Sequence, residues 1–213
     1  KDMANIMMST ARNNPKKTLG PEQAQKLIKL YNESRYDRLE SQISKLLKKF
    51  PDEFLLNNLG GIVAAQLGHK ARALKYFSRA ISIKPKASEP HVNIGHLLLK
   101  DNKPREALNA FKNAENLSQK NIEAHLGNGA ALNSLGLYNE ALLALKIALK
   151  IQPQNPKVHY LLGNTYRNMN RLIDAKTAFE QAIKLNPNFF EACNNLGLIL
   201  LDQKKFEAAS ETF

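Results

Sequence analysis

Cysteine is almost missing from this sequence, tryptophan is missing altogether, and no apolar run approaches the roughly 20 residues that a membrane-spanning helix needs. Each absence excludes something. With Cys193 alone, no internal disulfide can form. No secretory apolar core is visible either, so the expectation is a cytoplasmic, reducing setting, unless a leader was removed ahead of Lys1. Without tryptophan, and with aromatics at only 7%, a base-stacking surface is poorly supplied. No strand pattern, no Gly-rich phosphate loop and no Ser, His and Asp set outside the periodic register is present. These residues are therefore expected to carry no catalytic group and no cofactor.

Positive charge is in excess, and it is uneven. The chain of 213 residues has a formal net charge of +12. Residues 1–53 contribute +4, residues 54–121 contribute +7 and residues 122–213 only +1. A basic middle can steer an acidic partner or nucleic acid, but lysine-rich helix surfaces are more commonly solvated faces. Hydrophobic residues make up 43% of the chain, enough to bury a core.

A fixed step of 34 residues organises that core. Glycines recur at Gly61, Gly95, Gly129, Gly163 and Gly197, and alanines at Ala73, Ala107, Ala141, Ala175 and Ala209. Phe77, Phe111, Leu145, Phe179 and Phe213 follow each alanine by four. A second alanine set stands at Ala80, Ala114, Ala148 and Ala182, and Pro85, Pro153 and Pro187 close three units, with Gln119 closing the other. A period of this size, kept without an insertion, is the mark of a repeat array.

The residues HYLLGNTY, DAKTAFEQA and LNP within 159–187 resemble the signature of the tetratricopeptide repeat (TPR) family. The resemblance implies an all-α fold, a right-handed superhelical solenoid of antiparallel helix pairs. Full repeats are expected at 54–87, 88–121, 122–155 and 156–189, with an incomplete one at 190–213. Residues 20–53 keep helical spacing and Pro51 but place Leu27 and Leu39 in the glycine and alanine registers, as a divergent capping repeat. Residues 1–19 are polar and basic, a flexible or partly helical arm in which Met3, Met7 and Met8 would touch the capping pair. Because the last unit stops at Phe213 inside its expected second helix, more chain or self-association through that end is expected. Glycine in a helix costs about 1 kcal/mol relative to alanine, so its recurrence at one register is expected to serve a close helix crossing, with Phe77 and its equivalents beside it.

His91, His125, His159 and Cys193 also stand 34 apart, and such residue types can ligate zinc. Equivalent helices in stacked repeats lie about 8–10 Å apart, whereas zinc ligands all sit roughly 2.0–2.3 Å from one ion. Asn57 holds the same register in the first clear unit. The expectation is packing, not metal.

By resemblance to the family, first helices line the concave side. Their inner stripe is expected to include Asn58, Gln66, Asn93, His96, Lys100, Asn133, Tyr160, Asn164, Arg167, Asn168, Asn194 and Asn195. Asparagine carries donor and acceptor on one short side chain, so a ladder of them can hold the backbone of an extended peptide, while Lys100 and Arg167 meet acidic groups and Tyr160 gives a rigid contact. Against this, Asn109, Asn113 and Asn116 on an expected outer helix show that asparagine is simply common here. The carboxylate clamp that holds chaperone tails needs Lys and Asn four apart, and Asn58 and Ile62 do not supply it. Asn93 and Asn195 resemble the asparagine-lined arm of the O-linked N-acetylglucosamine transferases, but Leu59, Gly127 and Leu161 interrupt that ladder. The expected function is a scaffold for a protein or extended peptide partner, in which acidic groups would suit the two cations. The alternative is the substrate-recruiting arm of a glycosyltransferase or sulfotransferase with catalysis beyond Phe213. Nucleic acid is disfavoured, as no polar set recurs at one register.

Overall fold

The computed structural model describes residues 19–202, all of its regular elements there being helices. They are α1 (Pro21–Asn32), α2 (Tyr36–Lys49), α3 (Phe54–Gln66), α4 (Lys70–Ile83), α5 (Glu89–Lys100), α6 (Pro104–Leu117), α7 (Ile122–Ser134), α8 (Tyr138–Ile151), α9 (Pro156–Asn168), α10 (Leu172–Leu185) and α11 (Phe190–Asp202). None of these is long and apolar enough to cross a membrane. The expected arm at 1–18, with its three methionines, and the end at 203–213, with Ala209 and Phe213, lie outside the described residues. The chain parts into two compact units inside α5, the first ending at Leu97 and the second starting at Leu98.

Each second helix stops two residues short of the punctuating position. Lys49 precedes Pro51, Ile83 precedes Pro85, Leu117 precedes Gln119, Ile151 precedes Pro153 and Leu185 precedes Pro187. Proline disfavours the α conformation for the residue before it, which sets four of these five stops. The turns inside the pairs have a period of their own. Ser34, Gly68, Asn102, Gly136 and Asn170, again 34 apart, all have φ between 54° and 79°. After each, an amide reaches back five residues: Arg35 to Leu30, His69 to Ala64, Lys103 to Leu98, Leu137 to Leu132 and Arg171 to Tyr166, at 2.8–3.0 Å. This is the Schellman end, in which one left-handed residue lets orphan carbonyls find donors and turns the chain into the next helix.

In the first unit, Leu27, Leu39, Ile43, Leu56, Leu59 and Val63 form one cluster, and Leu19 packs into it at 7% exposure. Leu27 and Leu39 are thus core residues of the first pair, occupying with larger side chains the registers that later hold glycine and alanine. A second cluster joins Ala64, Ala73, Phe77 and Leu97. In the second unit, Leu126, Leu145, Ala148, Val158 and Leu162 pack together, and Ala175, Phe179, Ala182, Ala192 and Leu196 continue the pattern.

The role of the glycines is more specific than a close approach of backbones. A Cβ added at Gly61 would lie 2.3 Å from Phe77 Cε1, at Gly163 2.5 Å from Phe179 Cε1, and at Gly129 2.7 Å from Leu145 Cδ2. The atoms in the way are side-chain atoms of the register four after the alanine, not backbone. Glycine on the first helix is the seat of a ring or leucine from the second, and those side chains are fully buried. Gly127 makes a further seat, where Cβ would fall 2.1 Å from Phe111 Cε1.

Gly163→Ala decides between two magnitudes. Helix propensity alone favours alanine by about 1 kcal/mol, whereas overpacking a fixed core costs about 1–3 kcal/mol. Phe179 has no exposed surface into which to move. Gly163→Ala should therefore destabilise by about 1–2 kcal/mol in urea unfolding. Gly20→Ala, where an added Cβ meets nothing within 4 Å, should change stability by less than about 0.5 kcal/mol. Ser34→Gly should stabilise, by up to about 1 kcal/mol, because it relieves a left-handed serine at φ 54°. A loss of stability in Ser34→Gly would show that the serine side chain holds that turn.

Candidate functional site

Three members of the histidine register, Asn57, His125 and His159, tie turns. Asn57 Nδ2 donates to the carbonyls of Pro51 (3.1 Å) and Glu53 (2.9 Å). His125 Nε2 lies 2.9 Å from the Gln119 carbonyl and His159 Nε2 lies 2.9 Å from that of Pro153. A carbonyl only accepts, so both imidazoles carry hydrogen on Nε2 here. Each donor reaches back six residues, from the first turn of a first helix to the punctuating residue two beyond the end of the second helix before it. The expectation of packing was incomplete: burial is present, but the register also satisfies orphan carbonyls between repeats. The offset of six from Pro51, Gln119 and Pro153 was readable in the sequence.

His125 has further partners. Its Nδ1 lies 2.9 Å from Glu115 Oε1, near enough for an ion pair but out of line for a hydrogen bond. Asn128 Nδ2 sits 2.8 Å from both Glu115 oxygens. His125 and Asn128 are each 6% exposed, so this is a largely buried polar group. The glutamate needed for it, four residues before Gln119, carried no recognised sequence signal. Among the described residues, no group of three or more His, Cys, Asp and Glu is placed to hold a metal ion.

The expected binding stripe falls into three linked sets. In the first unit, Asn93 Nδ2 donates to Asn58 Oδ1 at 3.0 Å. In the second unit, Asn168 Nδ2 donates to Asn133 Oδ1 at 3.2 Å. The third set is a chain: Asn195 Nδ2 donates to Asn164 Oδ1 at 2.9 Å, and Arg167 Nη1 donates to Asn195 Oδ1 at 3.1 Å. Each bond joins one first helix to the next. Asn58, Asn93, Asn133, Asn164, Arg167 and Asn195 are half-buried, whereas Gln66, His96, Lys100, Asn168 and Asn194 are exposed. Tyr160 belongs to the packing: its ring centroid lies 4.9 Å from that of Phe189 and 6.0 Å from that of Phe179. Gly127 explains one of the three gaps in the ladder. It takes the register of Asn93 and Asn195, and its missing Cβ is where the Phe111 ring sits.

Comparison with protein-family models matches the tetratricopeptide repeat at 55–86, 156–189 and 178–209, and the TPR repeat at 129–170, together just over half of the chain. A comparison with curated proteins found no match. Among solved structures, PilW, described as a widely conserved type IV pilus biogenesis factor, is 24% identical, with 89% of this chain and 88% of that one covered and a TM-score of 0.79. TTC0263, a thermophilic TPR protein of Thermus thermophilus, is 20% identical over 84% of this chain and 98% of its own, at 0.73. MamA 41-end from Desulfovibrio magneticus RS-1 is 22% identical over 75% and 90%, at 0.63. At these identities the likeness is one of fold.

His125→Ala should cost about 1–3 kcal/mol in chemical denaturation, since it leaves the Gln119 carbonyl and Glu115 short of a partner. His159→Ala, whose bond to Pro153 is exposed, should cost less than about 1 kcal/mol. Added zinc should shift neither midpoint. Burial also holds the His91 imidazole below its ordinary value of 6.5. A depressed base binds fewer protons folded than unfolded, so this contribution is present above 6.5 and is lost as pH falls below 6.5 through the lower folded value. His91→Gln should remove part of that acid-side decline, measured as unfolding midpoint against pH.

Proposed function

The chain belongs to the tetratricopeptide repeat family, and we propose that it is a non-catalytic scaffold that binds an extended segment of a protein partner along its first-helix face. The observation that carries this is the chain Asn164, Asn195 and Arg167. Asn195 uses one amide hydrogen on Asn164 and accepts from Arg167, which leaves its second hydrogen, both hydrogens of Asn164 and further guanidinium donors. An extended peptide offers carbonyls at regular intervals, and an acidic side chain among them would meet Arg167 as a charge-assisted pair. Because the three side chains already hold one another across α9 and α11, little rotamer freedom remains to be lost on binding. Asn133 with Asn168 would extend the same surface. The transferase alternative has no specific observation in its favour, as the matched family models are of the repeat alone.

The test is to recover a partner by pull-down and titrate it against three variants. Asn164→Ala should weaken binding by about 0.5–1.5 kcal/mol and Arg167→Ala by about 1.5–3 kcal/mol, with a shallower salt dependence in the latter. Lys112→Ala, exposed on α6, should leave affinity unchanged. The double variant Arg167→Ala with Asn195→Ala should be non-additive, because the two side chains share a bond. Loss of binding in Lys112→Ala alone would move the partner to the basic second-helix surface.

A further inference from the structure

The first helix pair carries a groove of about 480 Å³ between α1 and α2, well away in sequence from the asparagine sets. Lys26 and Lys29 line it from α1, Arg35 and Arg38 from the turn and the start of α2, and Glu33 is the single acid on its wall. Glu33 is engaged, with Lys29 Nζ at 4.0 Å and Arg35 Nη1 at 3.3 Å. No ion-pair partner of Lys26 or Arg38 is found among the described residues, so the wall holds cationic charge that no described side chain neutralises. Leu30 is half-buried at the floor, and all five charged groups are exposed.

We propose that this groove binds an acidic peptide segment. Its volume is within the range of small-ligand pockets, but such pockets bury most of their ligand, and this one is walled by exposed side chains between two antiparallel helices. That geometry suits a chain laid along it more than an enclosed molecule. The spread of cations over both helices suits several carboxylates at peptide spacing more than one compact anion. The protein's own first 18 residues are a poor occupant, having four bases and Asp2 as their one acid. A net charge of +12 would speed arrival of such a ligand, and the groove would fix where it stops.

The probe is a fluorescein-labelled hexaglutamate peptide, titrated into the whole chain by fluorescence anisotropy at about 50 and 150 mM salt, across which Debye screening grows. Lys26→Glu with Arg38→Glu should weaken binding by about tenfold or more and flatten its salt dependence. Lys112→Glu with Lys146→Glu, an equal change of net charge on exposed positions elsewhere, should weaken it by no more than about twofold. Glu33→Gln should tighten binding about twofold to threefold, a gain that no loss of folding produces. Any binding of this acidic probe at Arg167 is measured separately, as the part that Arg167→Ala removes, and the groove is scored on what remains. The proposal is overturned if the two charge-reversal pairs weaken binding equally, which would mean diffuse attraction. It is also overturned if Glu33→Gln has no effect, if Arg167→Ala alone abolishes binding, or if low-millimolar inorganic phosphate displaces the peptide, which would mark a compact-anion site.

Discussion

Where a first helix would otherwise present a Cβ to its partner, Gly61 and Gly163 present a hydrogen, and the rings of Phe77 and Phe179 lie there. Much else follows from that seat. The ring must enter from the second helix, so the alanine four residues earlier, Ala73 or Ala175, has to be small enough to stay fully buried beside the first helix. A helix interrupted by glycine is weak in isolation, by about 1 kcal/mol at each. Burial of a phenylalanine side chain is worth about 1.5–3 kcal/mol, so the local loss is recovered only when the pair is assembled. Helix formation and pairing are coupled by the same residue.

That coupling reaches the polar surface. Phe111 rests on Gly127 of the following helix, at the register where Asn93 and Asn195 stand in other repeats. A side chain there would displace a ring with no exposed surface, so the asparagine ladder cannot continue through this position. The pairs regroup instead as Asn133 with Asn168, and Asn164 with Asn195. Core packing thus decides where amide groups are available, and the interruption at Gly127, which looks like drift in the sequence, is a steric consequence.

The helix pairs and the buried registers were legible because they obey one period, and glycine, alanine and proline mark it through sterics that need no tertiary context. The left-handed turns were legible too, since Ser34, Gly68, Asn102, Gly136 and Asn170 keep the same step, although Ser34 disguises the pattern. What the sequence hides is pairing between residues of different registers. Nothing in the letters says that Glu115 faces His125 and Asn128, because the three are brought together by how α6 meets α7. Tyr160 shows the converse: its register puts it on the inner stripe, and its half-buried ring also packs against those of Phe179 and Phe189. The groove of the first pair was hidden for a related reason. Lys26, Lys29, Arg35 and Arg38 read as ordinary solvated charge until two helices place them on one wall.

Asparagines bonded to one another do not cancel as binding groups. An amide pair uses one donor and one acceptor and leaves the remaining hydrogens and lone pairs directed by the bond already made. In water an isolated asparagine keeps its rotamers, and ordering it on a ligand costs free energy, whereas Asn164 and Asn195 are ordered by each other and by Arg167 before any ligand arrives. The same bonds join successive first helices, so any change in the spacing of α9 and α11 would break them. A surface built this way should favour partners whose backbone groups match a fixed spacing and reject those that need it to adapt. On the proposed reading, specificity would reside in the spacing of α9 and α11 as much as in the polar side chains themselves.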